Sequence, residues 1–588
     1  MQLGLRPKTK LADTYKEFHI IRIHGRFHGI PPHLDPEIVQ MQDRLGTHPA
    51  IMRAATEDDL KALIDTQENQ LQLPEIQDSY AGYDIISHRN AVFAIPREAG
   101  SVDLDLEDEC LYAGAFRAPT IPALRERIDA IKAAIPVEFA GWMPIFATMG
   151  NCGKHPQFTH TATPPLGYRF TRSALPEKTA SAPRWWHLSS MVRRIGDASR
   201  GLFVSIRPLF TFFGWQQGAS LIGRILLVAA IVKLFFTLRQ GGGSILPILR
   251  FIRSRHFKSQ LMLSKYRGLV FLTSAPFTCN QNPWVIEIED PTTLFNPFIH
   301  NGQTSYLDIG KSPYLPIVKA LLESHQCKGI LTHMRSTARM LPTLFQSETI
   351  ARKITYVPLG VNIPARWQQH DRNDPDCINV LYINSWCQLP GNFHVRGGLD
   401  VLEAFAILQE RYPQLRLTIR TGLPPLDNHY HRIMESSWVR VINRFLSTDE
   451  MEQLHAESHI FLLPAARVHI VSLLQAMAAG LAVVASDGWG MQEYLTHERN
   501  GLVVPGRYGK TSWVDEEAGL LREDYVPTHT TDPIVVQGIV DAVSRLVEDH
   551  ELRRRLGQTA RHDVETTYNL KSWNDGLKSA LDKAVAAP

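Results

Sequence analysis

Residues 460–487 read IFLLPAARVHIVSLLQAMAAGLAVVASD. Residues 460–463 and 482–486 are unbroken apolar runs of strand length, and residues 470–479 between them place Leu473, Leu474 and Met477 at helical spacing. A strand that is apolar on both faces must be covered on both faces, so strand, helix and strand here describe a parallel pair with a crossover. The alternation continues outward. Upstream come a strand at 380–383, a helix at 399–411, strands at 416–420 and 438–442, and a helix at 448–456. Further back, strand runs at 269–273, 284–288, 329–332 and 355–357 are separated by helical stretches at 313–324 and 336–345. Two such series joined near residues 360–366 predict two Rossmann-like domains whose ligand sits in the cleft at the carboxyl ends of the strands.

At 588 residues the chain exceeds a single core, and its ordinary composition excludes global disorder. The first 135 residues contain a repeat: YKEFHIIRIHGRFHGIP at 15–31 and YAGYDIISHRNAVFAIP at 80–96 match at an offset of 65, each followed by an Ile-Asp pair, at 64–65 and 128–129. Alternating residues around Gly25 and Asn90, then a helical pattern, predict a duplicated small ββα module, with repeats at about 14–67 and 79–132. Residues 136–183 form an aromatic, Pro- and Gly-rich connector ending in an Ala/Ser/Pro linker. Within it, Cys152, His155 and His160 are three candidate zinc ligands; ordered loop residues are the alternative. The six cysteines have no framework spacing, which favours reduced thiols and a cytoplasmic setting, and the first ten residues lack the apolar core of a secretion signal.

Between Arg184 and Arg267 stand fourteen Lys or Arg and a single acid, Asp197, while the remainder of the chain is net acidic. Two apolar blocks, 201–215 and 221–238, lie inside this stretch, the second interrupted by Arg224 and Lys233. Such charges disfavour a membrane span and suit an interfacial segment on the inner face of the cell membrane. Nucleic acid is excluded as a partner because the aromatics are blocked together, not interleaved with the cations. The competing reading makes 225–232 the first strand of the acceptor-side domain and Gly241-Gly242-Gly243 its glycine loop.

Several segments, in order, resemble family-four glycosyltransferases of the GT-B fold. These are YVPLGVN (356–362), RGGLDVLEAF (396–405), RVINRFLSTDE (440–450) with IFLLP (460–464), LLQAMAAGLAVVASD (473–487), GWGMQEY (488–494) and NGLVV (500–504). The resemblance implies an α/β GT-B chain: an acceptor-side domain at 184–365, a nucleotide-sugar domain at 366–565 and a C-terminal crossover helix at 566–588. It further implies a retaining hexosyltransferase that uses a nucleotide-diphosphate sugar, with no cofactor, acting on a glycan or lipid-linked acceptor. Physical chemistry asks for the same parts: a cation, free N–H groups and a helix N-terminus to hold the charge that grows on the leaving diphosphate. Arg396, Gly397 and Gly398 supply them, and Asp487, Gly488, Gly490 and Glu493 form a second turn placed by resemblance at the transferred sugar. Ser385, Arg444, Arg467 and Gln475 complete the donor set. Arg467 and Gln475 stand where the family has two glutamates, which keeps a catalytically inactive sugar- or nucleotide-binding scaffold as a rival reading. On the acceptor side, Glu287, Glu289 and Asp290 end a strand, where a carboxylate is placed to bind or deprotonate a hydroxyl, and alternation assigns Glu287 and Glu289 to one face and Asp290 to the other. His300 and His333 are lesser candidates.

Overall fold

The computed structural model describes residues 11–31, 51–68, 75–97, 116–141, 164–172, 221–253, 268–295, 309–367, 377–384 and 391–586, apart from short stretches within them. Cys152, His155, His160, His300, Ser385, the turn residues Gly25 and Asn90 and the apolar block at 201–215 lie outside the described residues. Two compact units are formed, one from the first 135 residues with 145–155 and the other from the remainder.

In the first unit, strands β1 (Leu11–Tyr15), β2 (Phe18–Ile23), β3 (Arg26–Ile30) and β4 (Met52–Ala54) make an antiparallel sheet followed by helix α1 (Glu57–Glu68). Strands β5 (Glu75–Tyr80), β6 (Tyr83–His88), β7 (Ala91–Pro96) and β8 (Phe116–Ala118) make another, followed by α2 (Ile121–Ala133). Each unit of repeat therefore holds four strands and a helix where the sequence suggested two strands and a helix. Of the two extra strands in each repeat, β4 and β8 are three residues each, too short to show alternation. Ile20 packs on Leu60 and Ile64 of α1, and Ile85 on Leu124 and Ile128 of α2. Tyr15 donates its hydroxyl to Asp65 (3.1 Å) beneath Lys61; Tyr80 does the same to Asp129 (3.0 Å) beneath Arg125. These pairs are exposed or half-buried, so each adds little energy and mainly sets how the helix lies on the sheet.

The second unit holds two parallel sheets. The first has the order β10-β9-β11-β12-β13-β14, with β9 (Ile135–Gly141), β10 (Tyr168–Arg172), β11 (Leu269–Thr273), β12 (Trp284–Ile288), β13 (Cys327–Thr332) and β14 (Ile354–Tyr356). β9 runs parallel to β11, pairing Phe139 with Phe271, so the first sheet begins inside the stretch read as a connector. The expected first strand at 225–232 belongs instead to helix α3 (Leu221–Gln240), and residues 241–243 turn the chain into α4 (Ile245–Arg253). A short apolar run satisfies strand and buried helix alike, and here the run is part of a 20-residue helix. Among the described residues no helix is long and apolar enough to cross a membrane.

The second sheet comprises β15 (Ile378–Ile383), β16 (Leu415–Arg420), β17 (Val439–Ile442), β18 (Ile460–Leu463), β19 (Ala482–Ser486) and β20 (Leu502–Val504) in the order β17-β16-β15-β18-β19-β20. All its pairings are parallel, and the order reverses between β15 and β18, which creates the switch-point crevice of a doubly wound sheet. Two Rossmann-like bodies in one unit give the GT-B architecture.

A single apolar cluster runs through both bodies. Val137, Phe271, Val285 and Leu331 of the first sheet and Leu381, Phe461 and Leu463 of the second belong to it, together with Trp573, Leu577 and Leu581 of the last helix. That helix spans Leu570–Ala586, and its three large residues at i, i+4 and i+8 are fully buried. Tyr168 donates to Asp582 on the same helix (2.7 Å). A hairpin of β21 (Ser512–Asp515) and β22 (Leu520–Glu523) makes a second bridge: it follows β20 in the chain, yet Leu520 is buried in the core of the first body. Gly519 (φ +61°) lets its tip approach the backbone of Met340 and Leu344, where a Cβ would lie 2.5 Å from each. Replacing Trp573 by Ala should cost about 3–5 kcal/mol of stability, read as a lower urea midpoint by circular dichroism. A midpoint unchanged from wild type would mean that the last helix does not hold the two bodies together.

Candidate active site

Three loops at the carboxyl ends of the second sheet converge on the crevice. After β15 the chain reaches Arg396, which is buried and donates from Nη1 to the Ile383 carbonyl (3.3 Å) at the end of that strand. Gly397 follows at φ +74° and N-caps helix α7 (Gly398–Arg411); a Cβ there would lie 2.4 Å from the Pro464 carbonyl. The loop after β15 is thus pressed against the loop after β18, and glycine is what permits it. Arg420, at the end of β16, donates to the Asn384 carbonyl (3.3 Å). Burial, against the opposing pull of Tyr382 and with a smaller contribution from the Arg420 charge, lowers the Arg396 pKa to about 10. His469, which leads into α8 (Ile470–Ala478), is held neutral well below the usual histidine range by burial and by the charges of Arg396 and Arg467. Two guanidiniums and a neutral imidazole beside a helix N-terminus form an electropositive cluster of a kind suited to an anion.

Arg467 lies at the centre of a second cluster. Its Nη2 donates to Glu289 Oε1 (3.1 Å) and Asp290 Oδ2 (2.7 Å), both just past β12 of the first body, and its Nη1 to Glu523 Oε1 (3.4 Å) on the hairpin. The Trp489 ring packs against the guanidinium, 5.2 Å away. The Arg467 pKa is raised well above its ordinary value: burial opposes the charge, and Glu523, Asp290 and Glu289 outweigh it. Glu523 has no exposed side-chain surface, and burial pushes its pKa up to about 7 although Arg467 pulls the other way. The alternation expected for the strand carboxylates does not hold. β12 ends at Ile288, so Glu289 and Asp290 lie beyond the pleat and converge on one cation, while Glu287 turns to His333, 2.9 Å from its Nδ1. Burial opposes charge on His333, but Glu287, with Glu289 and Glu493 nearby, raises its pKa.

The other expected donor residues make the following contacts. Asp487 accepts the backbone N–H groups of Gly506 (3.3 Å), Arg507 (2.7 Å) and Tyr508 (3.0 Å). Glu493 accepts from the N–H groups of Arg335 and Ser336 (3.0 Å), so it caps helix α6 (Arg335–Phe345) of the opposite body; α5 (Leu315–Glu323) precedes it. Gly488 lies against the Ala465 and Ala466 carbonyls, and Gly490 (φ +82°) against Met334 of the first body. Arg444 is exposed and paired with Glu450 (2.7 Å), and Gln475 is half-buried on α8. Arg420, His469, Glu523 and the buried Arg507–Asp400 pair were not foreseen, because nothing in their spacing distinguishes them from ordinary strand-end or loop residues. Among the described residues no group of three or more His, Cys, Asp or Glu is arranged to hold a metal.

Residues 388–523 match the family described as Glycosyl transferases group 1. That span contains Arg396, Arg420, Arg467 and His469 and ends at Glu523, so it takes in both clusters on the side of the second body. The spore coat protein SA of Bacillus subtilis (strain 168) is 20% identical over 328 residues, which cover 52% of this chain and 77% of that protein. Among solved structures, a sucrose-phosphate synthase from Thermosynechococcus elongatus is 16% identical with a TM-score of 0.39, covering 58% of this chain and 80% of that one. Anabaena HepE in complex with UDP is 13% identical with a TM-score of 0.39, covering 55% and 81%. Within the second Rossmann-like body, residues 388–523 are thus similar to the Glycosyl transferases group 1 family.

A buried carboxyl whose pKa rises to about 7 on folding binds a proton that the unfolded chain releases nearer the ordinary carboxylate value. The folded state therefore holds more protons between those limits, and the Glu523 contribution to stability is complete below the unfolded pKa and lost as pH rises through about 7. Glu523→Gln should flatten the fall in melting temperature over that window. A variant with the slope of the wild type would show that Glu523 is charged throughout.

Proposed function

We propose that the chain is a glycosyltransferase that moves a sugar from a nucleotide-diphosphate donor to a glycan or lipid-linked acceptor, with retention of configuration, from the cytoplasmic face of a membrane. The observation that carries this reading is the placement of buried Arg396 immediately before the left-handed Gly397 at the N-terminus of α7, on the switch-point side of β15. As the sugar carbon becomes oxocarbenium-like, negative charge grows on the leaving diphosphate, and Arg396 with the α7 N–H groups is set where that charge would be held. Arg420 and His469 lie within electrostatic reach of Arg396. On the acceptor side Glu289 is the carboxylate with solvent access, its side chain 27% exposed, whereas Asp290 is 1% exposed.

Arg467 favours a second reading. It stands where the family has a glutamate, and three carboxylates already occupy its donors. A chain with this centre is also suited to bind a nucleotide or sugar without turning it over, as a scaffold in polysaccharide assembly. The two readings separate on one pair of measurements. A panel of nucleotide sugars should contain one that, at a hundred times its dissociation constant, adds about 2.7 kcal/mol of stability and is then consumed; stabilisation without consumption selects the scaffold.

Arg396→Ala should lower turnover by about 2–4 kcal/mol of transition-state stabilisation. Turnover equal to the wild type, in a variant whose melting temperature shows it folded, would remove Arg396 from the diphosphate site.

A further inference from the structure

Helices α3 and α4 have two unlike faces. Leu234 and Leu238 of α3 and Ile248 and Phe251 of α4 are buried in one cluster with Val270 and Leu272 of β11 and Ile286 of β12. Facing outward, Val232 and Phe236 stand one turn apart on α3, and Ile245, Leu246 and Leu249 follow on α4, all large apolar side chains about half exposed. A tight turn at residues 241–243, with Gly242 at φ +89°, keeps the two ridges close along the chain. Single exposed leucines are ordinary, but five on consecutive helices mark a surface that binds something. Lys233, Arg239 and Arg250 are exposed among them, and the sequence has no acid between Asp197 and Glu287.

The geometry points to this face as a docking surface for an anionic membrane, with the five apolar side chains entering the acyl boundary and the three cations at the headgroups. Charge and apolarity together select that partner. Nucleic acid would take the cations and leave the apolar ridges in water. A second copy docked face to face would cover the ridges and oppose cation to cation. A lipid surface with acidic headgroups satisfies both at once, and the exposed Lys233 keeps α3 on the surface instead of across it. The inference deepens the membrane part of the reading above and stands apart from its sugar-transfer part.

The test is flotation of the full chain with phosphatidylcholine vesicles, with and without phosphatidylserine. The wild type should bind the phosphatidylserine vesicles, less so as salt rises, and each cation removed should weaken partitioning about fivefold. K233E/R250E should bind more weakly, and I245S/L246S/L249S should lose the part of the binding that survives high salt. Both variants should keep the wild-type melting temperature, since all five residues are exposed. Equal binding to both vesicle types, or variants that bind like the wild type, would overturn the assignment. A concentration-dependent dimer that the triple variant abolishes would give the face to a second copy instead.

Discussion

One guanidinium makes the centre of this molecule tolerable. Glu289, Asp290 and Glu523 approach one another in a space nearly closed to water, where three carboxylates alone would repel strongly and lose their hydration. Arg467 answers all three, and a planar fork of donors stacked on Trp489 can do so where a lysine ammonium cannot. Removing one partner from such a buried set typically costs about 3–5 kcal/mol, a large share of a domain's stability. The partners come from three places in the chain: the end of a strand in the first body, the loop after β18 in the second, and the hairpin that follows β20. The electrostatic centre is therefore also a joint.

The joint is reinforced by contacts of other kinds. Glu493 caps a helix of the opposite body, Met334 fills the space left by Gly490, and Leu520 carries the hairpin into the first core. Sequence reasoning assigns Glu493 and Gly490 to ligand binding and leaves Met334 and Leu520 unassigned.

The strands of both bodies were legible because they are buried on both faces, so their apolar runs are unbroken: Ile460–Leu463 and Ala482–Ser486 stand in the structure with the bounds read from the sequence. Strand β9 was not, since IPVEFAG interrupts its apolar residues with Pro136 and Glu138 and lies amid aromatic and glycine-rich residues. A strand at 225–232 could compete with the interfacial reading because the apolar residues of the helix at Leu221–Gln240 cover nearly every side, which hides a helical period. At the site, the local pieces were readable and the pairings were not. Arg396 and its glycines are one contiguous motif, whereas Arg467 and Asp290 are 177 residues apart in sequence, and no spacing rule connects them.

The helix at Leu570–Ala586 covers one face of a sheet whose strands lie some hundreds of residues earlier, and Trp573 and Leu577 share a core with Val137. During synthesis the first body would leave the ribosome with that face bare, and it stays bare until the second body and the helix have followed. Contacts of such sequence separation close late and slowly. A nascent chain of this kind exposes a broad apolar sheet face for much of its synthesis, so its yield in a cell should depend on chaperones that shield that face more than on the strength of the finished contact.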